Sequence, residues 1–102
     1  GLAGLAEINH ARALALAARL GGLKGVEIVN RTFFNEFTVR LAKPAAPVVD
    51  RMAVQGVLGG IPVSRLIPDD PAVANLLLVA ATELTSERDI AALAAALEEA
   101  LR

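Results

Sequence analysis

Residues 36–41, Glu-Phe-Thr-Val-Arg-Leu, alternate strictly between polar and apolar. In an extended chain Phe37, Val39 and Leu41 fall on one face and Glu36, Thr38 and Arg40 on the other, the pattern of a half-buried strand. This period of two is set between long segments of helical period, and the juxtaposition constrains the fold more than any other feature. On the N-terminal side Leu2, Leu5, Asn9, Ala13, Leu16 and Leu20 recur every three or four residues. They share one face of a helix of roughly five turns, closed by Gly21 and Gly22. Few charges interrupt its back, which suits a helix with a second neighbour. On the C-terminal side Ile90, Leu93, Ala94, Leu97 and Leu101 form the apolar face of another helix. Thr85 or Ser86 caps it, Ser86 and Asp89 stand at capping-box spacing, and Glu87 favours the helix N-terminus.

The middle of the chain fills in the rest. Val26 to Val29, after Gly25, reads as a strand. The Asn30–Asn35 connection joins it to residues 36–41 as an antiparallel hairpin with a loop longer than a tight turn. Pro47 suits the first turn of a helix, Val48, Val49, Met52 and Ala53 follow at helical spacing, and Gly56 stands where a C-cap belongs. Residues 57–75 hold Gly59, Gly60, Pro62, Pro68 and Pro71 and read as a long loop. Leu58, Ile61, Val63, Leu66 and Ile67 are expected to pin it to the body of the protein. Leu76 to Ala81 is an unbroken apolar run, as in a buried central strand. The expected order is α-β-β-α-β-α. That is an α+β domain, a small, mostly antiparallel sheet packed with helices, and 102 residues suit a single domain over 1–102.

Composition excludes whole classes of function. Ten basic and eleven acidic residues leave a net charge of −1, which argues against an electrostatic nucleic-acid or anionic-membrane binder. Three Phe with no Tyr or Trp make the core aliphatic and leave no base-stacking platform. The absence of cysteine removes disulfides, thiolate nucleophiles and cysteine-based zinc sites. His10 is the one histidine, so no His–His metal pair exists within a chain. Glu7, His10, Arg12 and Arg19 break any signal-peptide core. The longest uncharged run, Met52 to Ser64, is too short to cross a bilayer. A cytoplasmic location away from membranes is expected. A start at Gly1, already inside a helix, points to a longer parent chain. Arginine outnumbers lysine eight to two, which suits a GC-rich bacterial source.

The search for chemistry returns mostly structural readings. His10, beside the apolar face of its helix, reads as a packed or surface histidine rather than a catalytic one. Asn9 lies inside the apolar stripe and needs a structural hydrogen bond. Gly56-x-x-Gly59-Gly60 lacks the strand-then-helix context of a phosphate loop and reads as a turn. Asn30-Arg31-Thr32 matches a glycosylation acceptor, but no secretory signal accompanies it. Asp69 and Asp70, between prolines, read as a solvated loop. Glu36 and Arg40 share a strand face as an exposed or interfacial ion pair. Thr82-Glu83 closes the apolar strand as a cap or an interface. No catalytic, cofactor-binding or metal-binding set emerges.

Three runs nevertheless resemble one family. Phe33-Phe34-Asn35-Glu36-Phe37-Thr38-Val39-Arg40 is similar to the FFNEF strand of the pyridoxal-phosphate-dependent glycine dehydrogenase (decarboxylating), the P-protein of the glycine cleavage system. Gly56-Val57-Leu58-Gly59-Gly60-Ile61-Pro62-Val63-Ser64-Arg65 is similar to its GI-x-GG-x-P loop. Leu77-Leu78-Val79-Ala80-Ala81-Thr82-Glu83, with Thr85 and the capped helix, is similar to its LLVAVTE strand and closing helix. The runs come in the family's order, and the resemblance covers nearly all of the chain, closest to the C-terminal end of subunit 1.

The resemblance implies the small C-terminal domain of an aspartate-aminotransferase-like fold. It implies an enzyme that decarboxylates glycine on pyridoxal phosphate and passes the aminomethyl group to the lipoyl arm of the H-protein. In two-chain forms subunit 1 pairs with subunit 2, which carries the lysine that holds the cofactor. Lys24 and Lys43 match no lysine motif of the family, so no catalytic or cofactor-binding residue carries over. The domain is expected to bind no cofactor itself and to be inert alone. The polar side chains Asn35, Glu36, Arg65, Thr82 and Glu83 are its candidate interface residues, and an exposed apolar patch is expected to make the isolated domain self-associate. Two other readings remain. One is the small domain of another enzyme of the same fold, which an arginine in the last strand would favour; residues 75–81 contain none. The other is a free-standing regulatory, ligand-binding α+β module, which a starting Met and a more polar first helix would favour.

Overall fold

The computed structural model describes residues 2–31, 36–57, 59–81 and 86–102, with side chains from His10 onward, Arg31 excepted. Helix α1 spans Leu2–Gly21. Its alanines and leucines are strong helix formers, and Ala13, Leu16, Ala17 and Leu20 are buried along one stripe. After a turn in which Leu23 N–H donates to Leu20 O, strand β1 runs over Val26–Arg31. It pairs antiparallel with β2, Glu36–Leu41, as the hairpin reading expects. Val26 stands opposite Leu41 and Ile28 opposite Val39, and a bulge follows between Ile28 and Asn30. At the bulge the Thr38 N–H donates to Asn30 Oδ1 at 3.2 Å, so a side chain takes up the amide beside the irregularity.

Helix α2 spans Ala45–Val54, with Pro47 in its first turn. Ala45, Val48, Val49 and Met52 are buried. Ala53, expected on the inner face, is exposed: at about 100° per residue it falls at the margin of that stripe, and the helix ends one residue later. The helix closes on Gly56, whose φ of +80° suits a residue without a Cβ. Gly56 N–H donates to Ala53 O and Val57 N–H to Met52 O, the paired bonds of a Schellman motif.

The segment read as a loop contributes a fourth strand. β3, Ile61–Pro62, pairs antiparallel with β4, Leu76–Ala80. Two residues are too few to show an alternating pattern, and a proline is tolerated because β3 lies at a sheet edge. Two short 3₁₀ turns follow, Val63–Arg65 and Pro71–Val73, the second capped by Asp70 Oδ1 accepting from the Ala72 N–H at 2.9 Å. The expected pinning also differs. Pro62 is buried and Val63 half-buried, but Ile61, Leu66 and Ile67 are exposed; Leu58 lies outside the described residues.

The sheet order is β1-β2-β4-β3, antiparallel throughout. β4 is an inner strand, as its apolar run suggests, with Phe37 opposite Val79 and Val39 opposite Leu77. Helix α3 spans Glu87–Ala100. Ser86 caps it in a reciprocal box: Asp89 N–H donates to Ser86 Oγ at 3.1 Å, and Ser86 N–H to Asp89 Oδ2 at 2.9 Å. All three helices share a single core with Phe37, Val39, Leu41, Leu77 and Val79, the inner face of the sheet. The α+β architecture is thus two layers, and no described helix covers the outer face.

Candidate functional site

The outer face carries Glu36 among the polar candidates singled out by sequence, with Arg40 on the same strand face. Glu36 begins β2 there, exposed and opposite Ala80. Arg40 lies four residues further along on the same face, directly opposite Glu27 on β1. Its guanidinium reaches Glu27 Oε2 at 3.4 Å, an ion pair formed across the hairpin. Directly opposed strand residues bring their Cβ atoms within about 5.5 Å, closer than next-but-one pairs along a strand. Both side chains are more than half exposed, so the pair is a weak surface contact.

Arg65 sits elsewhere. Its 3₁₀ turn brings Nη2 to 3.2 Å from Asp50 Oδ1 on α2, on the helix side of the molecule. Glu36 and Arg65 are therefore not brought together into one site. Asn35, Thr82 and Glu83 lie outside the described residues, as does the Asn9 side chain.

The glycine run proves to be a packing device. A Cβ on Gly59 would collide with the Met52 methyl, and one on Gly60 with the Leu78 carbonyl oxygen. Gly60 also holds a φ of +104°, open to glycine. The chain here presses onto α2 and β4, which accounts for the run without any phosphate. Asp69 adopts a φ of +69°, tolerated by aspartate in turns. Among the described residues no three His, Asp or Glu side chains gather as a metal site. An open groove of about 570 Å³ runs beside the α1–β1 turn, lined by Leu23, Lys24, Gly25, Ala42, Leu101 and Arg102. Its charged lining is the exposed Lys24 and the Glu98–Arg102 ion pair at 3.4 Å, a solvated surface contact.

Two features escaped the sequence reading. His10 is half-buried, within its reading as a packed or surface histidine, but its Nδ1 is shut off from solvent with no hydrogen-bond partner among the described residues, which that reading does not foresee. Its position three residues before buried Ala13 was the available signal. The second is the end of α3, which is held by cations from other elements. Arg51 Nη1 donates to Ala100 O at 2.9 Å and Lys43 Nζ to Arg102 O at 2.6 Å.

The lysines also decide how the described residues fit pyridoxal phosphate. A lysine that links a carbonyl cofactor is activated by a desolvating pocket or neighbouring cations. Lys24 is exposed in a turn, and Lys43 spends its ammonium on a main-chain carbonyl at the end of α3. Neither position fits the cofactor.

No family model matches the chain. Over 101 residues it is 57% identical to the probable glycine dehydrogenase (decarboxylating) subunit 1 of Rhodospirillum rubrum, a match covering 99% of this chain and 22% of that protein. It is 58% identical over 97 residues to the protein of the same name from Parvibaculum lavamentivorans, covering 95% of this chain and 22% of that one. Among solved structures, a glycine decarboxylase (P-protein) of the glycine cleavage system, in inhibitor-bound form, superposes with a TM-score of 0.85. It is 38% identical, and the match covers 99% of this chain and 22% of that one. The resemblance seen in the three sequence runs therefore extends along the whole chain and to its three-dimensional form. The chain spans less than a quarter of the length of the relatives it matches.

Proposed function

We propose that residues 1–102 form one domain, the small C-terminal domain of subunit 1 of a glycine cleavage P-protein. The observation that carries this reading is the 57% identity over 99% of the chain, joined to a TM-score of 0.85 at 38% identity. The full enzyme decarboxylates glycine with pyridoxal phosphate and passes the aminomethyl group to the lipoyl arm of the H-protein. Subunit 2 is the partner, and the cytoplasm the location. No helix among the described residues is long and apolar enough to cross a membrane.

Within such an enzyme this domain is a scaffold. Its lysines do not suit the cofactor, and Arg51 serves the end of α3 while Lys43 holds the main-chain oxygen of Arg102 just beyond it. Its contribution is shape, a rigid two-layer body offering one uncovered sheet face and the candidate interface residues Asn35, Glu36, Arg65, Thr82 and Glu83.

A chimera tests the reading. Residues 1–102 replace the matching segment of the Rhodospirillum rubrum subunit 1, and the product is combined with that organism's subunit 2 and H-protein. Exchange of the glycine carboxyl group with labelled bicarbonate should persist. A chimera that assembles but exchanges no label overturns the reading.

A further inference from the structure

We propose that Asn30 is a positioning residue: by holding the bulge in β1 it sets how the chain leaves that strand toward Asn35 and Glu36. The proposal rests on the reading of those two as interface residues of a longer enzyme, and adds the residue that places them.

The irregularity is confined to β1. β2 runs along β4 without a break, from Glu36 opposite Ala80 to Arg40 opposite Leu76. Against β1 the same strand meets one residue too many. Ile28 stands opposite Val39 and Asn30 opposite Thr38, and Val29 between them has no partner. Residues directly opposed across two strands share a face. Position 30 therefore falls with Thr38 on the outer face, and position 31 falls with buried Phe37 on the core face. In a regular hairpin Val29 would stand opposite Thr38, Asn30 opposite Phe37 and Arg31 opposite Glu36, because a slip of one residue exchanges the faces. The bulge thus turns over the end of β1 while leaving β2 and β4 as they are.

Asn30 selects between these two registers in two ways. In the observed one its Oδ1 accepts from the Thr38 N–H at 3.2 Å. In the regular one its carboxamide would enter a core cluster made only of apolar residues, where an unpaired amide is costly. Its backbone asks for no special residue, since Asp69 is the one described non-glycine residue with positive φ. What the position requires is the side-chain oxygen. Bulges recur next to functional segments, where they re-aim the chain, and this one lies at the last residues of β1. The Asn30-Arg31-Thr32 triplet, which matches a glycan acceptor in sequence, thereby holds a register instead.

Hydrogen exchange read by mass spectrometry tests this in the chimeric subunit 1 combined with subunit 2. Asn30→Asp keeps an acceptor oxygen. Asn30→Val removes it and favours the regular register, and Asn30→Ala is the milder substitute if the valine variant does not assemble. Amides 32–36 should be protected in the parent and in Asn30→Asp, and should exchange at least about tenfold faster in Asn30→Val, with β4 and α3 amides unchanged throughout. Protection that survives the loss of the oxygen, protection lost in Asn30→Asp as well, or unprotected 32–36 amides in the parent overturns the proposal. Failure of both Asn30→Val and Asn30→Ala to assemble makes Asn30 a folding residue and overturns it too. Exchange of the glycine carboxyl group with labelled bicarbonate is read separately on the parent chimera. An active chimera whose 32–36 protection ignores Asn30 removes the positioning role and keeps the enzyme assignment. An inactive one whose protection is lost without the oxygen and kept in Asn30→Asp does the reverse.

Discussion

Arg51 of α2 donates from Nη1 to the main-chain oxygen of Ala100 at 2.9 Å and so closes the C-terminus of α3, which has no basic residue in its own last turn. The last carbonyls of a helix lack intrahelical donors and carry partial negative charge, so a cation from a neighbouring element is well placed there. The bond also ties α2 directly to α3 within the helix layer.

Arg51→Met should therefore destabilise the chain by about 1–2 kcal/mol, the range of a charge-assisted bond to a partly buried acceptor. Arg65→Met removes only the exposed pair with Asp50 and should cost under about 1 kcal/mol. Urea unfolding of the two variants, followed by circular dichroism, checks the order; equal losses would mean that the helix terminus gains nothing special from Arg51.

The glycine run gives a graded expectation. Gly56 has a φ of +80° with open space where a Cβ would go, so Gly56→Ala should cost about 1 kcal/mol of backbone strain. At Gly60 the positive φ is joined by a collision with the Leu78 carbonyl oxygen in the strand next door. Gly60→Ala should cost clearly more, about 2 kcal/mol or above. Thermal melts of both variants decide it, and a Gly60→Ala as mild as Gly56→Ala would contradict the close approach of β3 to β4.

How far these features could be read in advance depended on how locally each was encoded. The hairpin, the Schellman glycine and the Ser86–Asp89 box are each written within a few consecutive residues, and sequence spacing sufficed. β3 is not local: Ile61 and Pro62 are extended because Leu77 and Leu78 hold them, and nothing in a two-residue segment announces it. The same holds for Arg40, whose nearest carboxylate in sequence lies along its own strand while its partner, Glu27, is set by hairpin register. Ile61, Leu66 and Ile67 were read as anchors because they are apolar, yet exposure on one domain is compatible with burial against another. For the candidate interface, Glu36 and Arg65 lie on different sides of the sheet, a separation that only the sheet order reveals.

The capping box makes stability depend on acid. The carboxyl of Asp89 is held below its usual value, first by the Ser86 backbone N–H and then by the Ser86 side chain. A group whose folded pKa is depressed stabilises the fold above its unfolded value, about 3.9 for aspartate, and that contribution fades as pH falls through the lower folded value. The wild-type chain should thus lose more stability than Asp89→Asn when pH drops from about 5 to about 2. Urea midpoints at closely spaced pH values provide the comparison. Parallel curves for the two proteins would remove the box from the acid response.

Cofactor affinity is the fourth expectation. With Lys24 exposed and Lys43 engaged at the Arg102 carbonyl, titration with pyridoxal phosphate should yield no stoichiometric absorption band. A one-to-one band abolished by Lys24→Ala or by Lys43→Ala would place the cofactor on this domain after all.

Self-association of the isolated chain is the last. Among the described residues Leu14, Val29, Val54, Ile61, Leu66 and Ile67 are large, apolar and at least 42% exposed. Singly such residues are ordinary on a monomer. Ile61 is not single, since it stands directly opposite half-buried Leu78, with Leu76 on the same face of β4, and Leu66 and Ile67 follow it closely in the chain. Patches larger than a few hundred Å² on a soluble surface tend to be covered, and in the isolated chain only another copy can cover this one. The near-zero net charge of −1 offers little long-range repulsion to oppose it. Sedimentation equilibrium should show concentration-dependent association, and Ile61→Lys with Leu66→Lys should shift the distribution toward monomer while leaving the circular dichroism spectrum unchanged. If the unmodified chain stays monomeric at high concentration and binds no apolar dye, its surface is self-sufficient, and the free-standing-module reading regains its force.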